Sequence, residues 1–320
     1  MRYKLYIIII ILLVLAAFGE NAAFAYWIWT PQTKKWINPR YAPKDTPKEQ
    51  LLYSMDLFEA KDYKKALDEF KKVVSYYPRS ESAAEAQYYI GRCQEELQNY
   101  YQAFLAYQEG VEKYPFSQRL DETVKREYDI GEKLFSGEKV KFIGMSFSAT
   151  PEQIIEIFQK VVSDAPYSEY APTAQYKIGE LYKRLGFYNE AIEAFQKITT
   201  NYPDSAIADD AKYQVAICAA SGSPGSAYDQ QLTAEAIKKF DEYVKANPDS
   251  VKVKEAQKEK GELIEKKARS LYSIAHFYER RGKPNSAIIY YDDIVNNFPS
   301  SSIAPSAMER AETLKKKSKR

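Results

Sequence analysis

One short pattern recurs six times along this chain: a small or aliphatic residue, an aromatic one four places on, and a proline eight places after that. The sets are Ala66/Phe70/Pro78, Ala103/Tyr107/Pro115, Ile154/Phe158/Pro166, Ala191/Phe195/Pro203, Ala236/Phe240/Pro248 and Ala287/Tyr291/Pro299. Residues four apart share one face of an α-helix, and a proline, with its fixed φ and missing N–H, stops that helix. Successive prolines lie 37, 51, 37, 45 and 51 residues apart. Paired helices repeated at such a period mark a helical solenoid, where each pair buries its apolar face only by stacking on its neighbours. The expected fold is an all-α α-solenoid of about six helix pairs, closed by a capping helix over Ile303 to about Lys316.

The clearest repeat runs from Ala171 to Pro203. Gly179 allows close helix approach, Tyr182 follows three residues later, and Gly186 offers the left-handed backbone that ends a helix. A second helix then presents Ala191 and Phe195. The same order of small, aromatic and proline positions appears in Ala83–Pro115, with Gly91, and in Ala275–Pro299, with Tyr278 and Gly282. It appears again in Glu49–Pro78, where Ser54 takes the small position. This order and spacing are those of tetratricopeptide repeats. Turns such as Tyr202-Pro203-Asp204-Ser205 join the pairs, and their serines are expected to N-cap the following helix. The longer intervals hold insertions: Phe135–Thr150, read as a loop inside the third pair, and the Gly/Ser-rich Ala220–Gln231 in the fifth. Val253–Arg281 has one glycine and no proline, so it is expected to be a single long helix.

The amino terminus reads as an export signal. Arg2 and Lys4 precede an apolar run of 14 residues, Leu5 to Phe18, and Ala23-Phe24-Ala25 offers small residues where a signal peptidase cuts. The run is shorter than the roughly 20 residues that cross a bilayer comfortably. Residues 1–25 are therefore expected to be a cleaved signal peptide, with an uncleaved anchor as the alternative. Tyr26–Pro47 holds all three tryptophans (Trp27, Trp29, Trp36) and four prolines. It has no helical period and is expected to be an extended arm, either packed onto the first helices or serving as a docking peptide. Residues 48–320 form the solenoid.

Little in the chain points to catalysis. With 46 basic and 44 acidic residues there is no excess charge to hold nucleic acid. A single histidine, His276, and two distant cysteines make no sensible zinc site, and no Gly-rich phosphate loop or nucleophile elbow is present. Cys93 and Cys218 fall three repeats apart, and packed helices are spaced about 8–10 Å, so they are read as small buried residues and not a disulfide. Acidic residues such as Asp209 and Asp210 read as solvated faces or first-turn residues. The expected function is non-enzymatic, with no cofactor, metal or small-molecule substrate. The surface remains. In a stacked array the first helix of each pair lines the concave side. Counting from the small position puts Met55, Tyr88, Arg92, Glu95, Tyr176, Glu180 and Lys183 there as candidate protein-binding residues. Tyrosines at such positions also serve simply to fill the groove between helices. Lys315 to Arg320 reads as a frayed, solvated end.

From Lys254 to Ala311 the chain resembles the outer-membrane assembly factor BamD (YfiO) family. The carrying residues are the long helix leading into Ala275-His276-Phe277-Tyr278-Glu279-Arg280-Arg281-Gly282, then Ala287-Ile288, then Asn297-Phe298-Pro299-Ser300-Ser301. The resemblance extends over about residues 48–315 and implies a periplasmic component of the machinery that folds β-barrel proteins into the outer membrane. It further implies amino-terminal repeats that face clients (Met55, Tyr88, Arg92) and carboxy-terminal repeats that dock a barrel-forming subunit. The implied partners are thus proteins, with peripheral association to the outer membrane. Family members carry a lipidated cysteine after the signal and commonly five repeats; this chain has Tyr26 there and six proline-terminated units. Another periplasmic repeat adaptor, one that coordinates cell-wall synthesis with division, shares the central repeats but not the long penultimate helix.

Overall fold

The computed structural model describes residues 28–30, 35–37, 42–142, 145–222 and 230–318. The expected signal segment and Trp27 lie outside them. The chain divides into two compact units, Met1–Arg119 and Leu120–Arg320. The first holds strands β1 (Ile28–Thr30) and β2 (Lys35–Ile37) and helices α1 (Pro47–Glu59), α2 (Tyr63–Tyr76), α3 (Glu81–Glu96) and α4 (Tyr100–Lys113). The second holds α5 (Leu120–Phe135), β3 (Lys139–Phe142), β4 (Met145–Ser148), α6 (Pro151–Asp164), α7 (Tyr170–Leu185), α8 (Tyr188–Asn201) and α9 (Ala208–Ser221). It continues with α10 (Gln230–Ala246), α11 (Val253–Arg280), α12 (Pro284–Asn297) and α13 (Ala304–Ser318). The described helices thus make six pairs and a final capping helix, the all-α arrangement that the repeat spacing requires.

The recurring triplet has a steric basis. At three of the small positions a methyl group would collide with the aromatic ring of the paired helix. A Cβ on Gly91 would stand 2.3 Å from Tyr107, and one on Gly131 or Gly179 would stand 2.7 Å from Phe158 or Phe195. Ser54, Ala216 and Ala275 fill the same place in the other pairs, all fully buried. Each of the six aromatics (Phe70, Tyr107, Phe158, Phe195, Phe240, Tyr291) is at most 1% exposed. Burial of such a ring contributes about 1.5–3 kcal/mol. The ring is large because the facing position is small, and this exchange of volume fixes the distance between the two helices of a pair.

Two polar devices supplement it. Four residues before the small position, a buried glutamine reaches across the pair to a main-chain carbonyl. Gln87 Nε2 donates to Ala106 O at 2.8 Å, Gln175 to Ala194 O at 3.0 Å, and Gln50 to Glu69 O at 3.3 Å. Where the aromatic is tyrosine, a glutamate four residues after the small position accepts its hydroxyl: Glu95 from Tyr107, and Glu279 from Tyr291 at 2.9 Å. Both devices satisfy polar groups that burial would otherwise strand.

The turns behave differently from expectation. In all six, the serine N–H donates to the residue three before it, for instance Ser80 to Tyr77 at 3.0 Å and Ser205 to Tyr202 at 3.1 Å. Ser80 and Ser168 also donate Oγ to that same carbonyl, at 2.8 Å each. None caps a helix, because all but α3 begin two or three residues further on, and Ser80 makes no cap bond to α3. These serines close turns. True caps are at Thr46, Asp62 and Thr150, the last donating its own N–H in return to Gln153 Oε1 at 3.0 Å. Gly186 ends α7 with φ 81°, as its sequence position requires.

α11 runs unbroken for 28 residues, and α13 continues through Lys315, Lys316 and Lys317 to Ser318, with Lys315 pairing with Asp292 at 2.7 Å; Lys319 and Arg320 lie outside the described residues. The insertion Phe135–Thr150 is more than a loop. Val140 pairs with Phe147 and Phe142 with Met145 in an antiparallel ribbon. The arm is likewise not merely extended. Ile28, Trp29 and Thr30 pair with Ile37, Trp36 and Lys35. β3 (Lys-Val-Lys-Phe) and β4 (Met-Ser-Phe-Ser) alternate polar and apolar residues, the period of a strand, and the β-branched and aromatic residues of β1 and β2 favour extended backbone.

Both cysteines are free and fully buried, in α3 and α9. Burial pushes the Cys93 thiol up to about 12 and the Cys218 thiol up to about 11. A thiol reagent at pH 8 is therefore expected to label neither in the folded protein and both in denaturant. Rapid labelling of native protein would contradict the packing described here.

Candidate protein-binding faces

In the first unit a row of rings runs from α1 to α3, with Phe58, Tyr89 and Tyr88 on these first helices and Tyr63 and Tyr107 on α2 and α4. Tyr63, Phe58, Tyr89, Tyr88 and Tyr107 follow one another with centroids 5.2–5.9 Å apart. Two arginines lie over the row: Arg92 over Phe58 at 5.6 Å and Arg119 over Tyr88 at 5.1 Å. Arg119 also forks onto Glu85 (3.1 and 2.7 Å), and Arg92 meets Tyr88 Oη at 3.4 Å and Glu96 at 3.7 Å. A cation over a ring in a half-exposed place contributes about 0.5–1 kcal/mol and holds the guanidinium in one direction.

Of the residues expected on this wall, Arg92 and Met55 are half-buried, and Met55 packs on the core. Tyr88 is only 4% exposed, so its ring fills the groove between helices and is not open to a ligand. Glu95 is the acceptor for Tyr107. The open apolar side chains nearby are ones the repeat register passes over, Leu52 and Tyr53 on α1, at 50% and 40% exposure.

In the second unit the wall is cross-linked. Tyr176 on α7 donates its hydroxyl to Asp210 on α9, and the same carboxylate pairs with Lys252 at the start of α11. One acidic side chain therefore joins the first helices of three consecutive pairs, and Lys252 also lies 4.9 Å from the Tyr213 ring. Lys183 donates to Gln214 at 2.7 Å, a second link from α7 to α9. Lys177 sits between Glu132 and Glu180, each at 3.5 Å. Tyr176 is 7% exposed, and burial, followed by the charge of Glu180, pushes its hydroxyl up to about 12. Tyr176, Glu180 and Lys183 are thus brought together on α7, mostly as fastenings between repeats. Asp210, read from sequence as a solvated first-turn residue, is the centre of this arrangement; its partners sit 34 and 42 residues away, so no local spacing reveals it. His276 is half-buried on α11 beside the 46%-exposed Phe277, over which Arg281 lies at 5.3 Å. Ile289 on α12 and Met308 on α13 are also open, at 67% and 51%.

Comparison with known proteins gives three family matches. The YfiO family, described as an outer membrane lipoprotein family, matches residues 216–318. Tetratricopeptide-repeat families match residues 173–205 and 54–117. Among curated proteins nothing matches. Similar solved structures include the C-terminal part of a TPR repeat-containing protein from Cytophaga hutchinsonii, 16% identical over 82% of this chain and 88% of that one, with a TM-score of 0.36. A tetratricopeptide repeat protein from Parabacteroides merdae is 17% identical over 85% and 92%, with a TM-score of 0.33. YrrB, a TPR protein with an unusual peptide-binding site, is 17% identical over 67% and 93%, with a TM-score of 0.35. The chain has a tetratricopeptide-repeat fold with a YfiO-like carboxy-terminal part, and such repeats serve as protein-interaction scaffolds.

Proposed function

We propose that this chain is a non-enzymatic, exported scaffold that gathers client and partner proteins during assembly of β-barrels in the outer membrane, resembling BamD in role. The observation that carries this reading is the YfiO match over residues 216–318, which takes in α10, the 28-residue helix α11, its partner α12 and the capping helix α13. In this reading the wall formed by α1 and α3 receives clients through Arg92 and the open Leu52 and Tyr53. α11 and its neighbours, with Phe277, Ile289 and Met308, meet the barrel-forming subunit. The setting is the periplasm, at the inner side of the outer membrane.

Affinity purification of the chain from solubilised membranes tests this directly. Recovery of a barrel-forming protein with periplasmic domains supports it. Recovery of septal wall-synthesis proteins alone would replace it with an adaptor for cell division. For the client wall, Arg92→Ala is expected to weaken binding of a β-barrel carboxy-terminal peptide roughly tenfold, about 1.4 kcal/mol. Unchanged affinity, with helical content intact, would move clients off this wall.

A further inference from the structure

The β1–β2 ribbon lies before the six helix pairs in the chain, and its composition is unusual. All three tryptophans of the chain fall within ten residues, at 27, 29 and 36. Trp29 and Trp36 are directly paired across the ribbon, so they share one face, with ring centroids 5.8 Å apart and planes at 61°. Both rings remain open, at 46% and 62% exposure, and Ile28 on the opposite face is 41% exposed. A ribbon of three residues per strand has too few main-chain bonds to be stable alone in water, and open indoles on it add a hydrophobic penalty.

Charge distinguishes what could cover it. Residues 26–47 contain Lys34, Lys35, Arg40 and Lys44 against one acid, Asp45. That is a net +3 in a chain whose total is +2, so the other residues together carry −1. The arm is therefore basic within a nearly balanced chain, as is the end Lys315–Arg320, but the arm alone joins that charge to tryptophan. Indole, with an apolar body and one N–H donor, is the side chain that settles at the boundary between headgroups and acyl chains, and basic residues beside it draw anionic lipid. The apolar run Leu5 to Phe18 ends eight residues before Tyr26, so a chain that keeps it holds the ribbon beside the bilayer. Among the described residues, no helix is long and apolar enough to cross a membrane.

We infer that the Trp29/Trp36 ribbon is an interfacial anchor that seats on an anionic lipid surface. It does there what a lipidated cysteine does in other exported scaffolds. This deepens the peripheral setting proposed above, yet its test is separate: failure of lipid binding leaves the partner-binding reading in place, and failure to capture partners leaves this one.

The experiment uses the full chain and its own tryptophans, whose emission reports this segment alone. Vesicles of phosphatidylethanolamine with phosphatidylglycerol are expected to shift the emission to the blue, and lipids brominated high on the acyl chain to quench it. Vesicles of phosphatidylcholine alone should do so more weakly, and added salt should weaken the anionic case. Trp29→Ala with Trp36→Ala, Trp27 remaining as reporter, is expected to lower partitioning at least about tenfold with unchanged far-ultraviolet circular dichroism. Lys34→Gln with Lys35→Gln should remove the preference for anionic vesicles. Emission that stays at its aqueous position with anionic vesicles would overturn the inference and leave the ribbon to a protein partner. Equal partitioning of the double tryptophan variant would overturn it too, by assigning attachment to the apolar run alone.

Discussion

Replacing Gly179 by alanine is expected to destabilise the second unit by about 1–3 kcal/mol, although helix propensity alone favours the change by up to about 1 kcal/mol. The new methyl would stand 2.7, 2.8 and 2.9 Å from three carbons of the Phe195 ring. That ring cannot step aside. It is fully buried, Tyr176 meets it edge-on at 5.1 Å, and Ala191, Ile198 and Ala211 pack in the same cluster. Relief has to come from moving α8 away from α7, which opens the packing that the pair exists to provide. Gly261 supplies the control. It lies in the interior of α11, and a Cβ there meets nothing within 4 Å. The same substitution at Gly261 is expected to stabilise by about 0.5–1 kcal/mol, since it only removes backbone freedom from the unfolded chain. Urea denaturation of both variants, followed by circular dichroism, reads the opposite signs. A Gly179→Ala protein as stable as its parent would mean that the small position does not set the spacing between paired helices.

Asp210→Ala is expected to cost about 1.5–3 kcal/mol. The lower part of that range is favoured because the Lys252 and Asp210 side chains keep 31% and 30% exposure and water screens part of the attraction. Losing this carboxylate removes the acceptor for the buried Tyr176 hydroxyl and leaves Lys252 unpaired, so the penalty is larger than that of an isolated surface pair. Because Asp210 joins first helices of three pairs, the loss should also reduce cooperativity between them, as nearest-neighbour coupling in a solenoid requires. Hydrogen exchange should quicken in α9 and at the start of α11, with α13 unaffected. Asp210→Asn, which keeps an acceptor but no charge, should fall between. If exchange in α9 and α11 is unchanged, the contact is a surface pair of no consequence. The tyrosine adds a pH dependence whose sign is fixed. Its folded-state pKa is raised from 10.0 to about 12, so this stabilising contribution is complete below pH 10 and is lost as the pH rises toward 12.

Much of this architecture is written in local spacing. Phe195 and Gly179 declare themselves because a ring recurs six times eight residues before a proline, and in four pairs a small residue lies 24 residues before it. The long α11 follows from an absence of breakers. The serine turns show the limit of such reasoning. Ser205 has the residue type and near-correct place of an N-cap, but the turn uses its N–H and the helix starts later. The candidate faces were less legible. Tyr88 and Arg92 lie four residues apart on α3, yet Tyr88 is buried, whereas Arg92 keeps a half-open guanidinium on the rings. The difference depends on how deeply α3 sits against its neighbours.

What the amino-acid order settled alone is the number of helix pairs, the unbroken run of α11, and the ring that locks each pair. These depend on contacts within one repeat, where residue type and helical period together dictate who meets whom. What only the tertiary arrangement decided is the use of polar groups between repeats: Asp210 joining Tyr176 to Lys252, and Lys183 meeting Gln214. The partners of Asp210 belong to neighbouring helix pairs, and their meeting depends on the rotation from one pair to the next. That rotation is the sum of many packing contacts, and no short stretch of sequence encodes it.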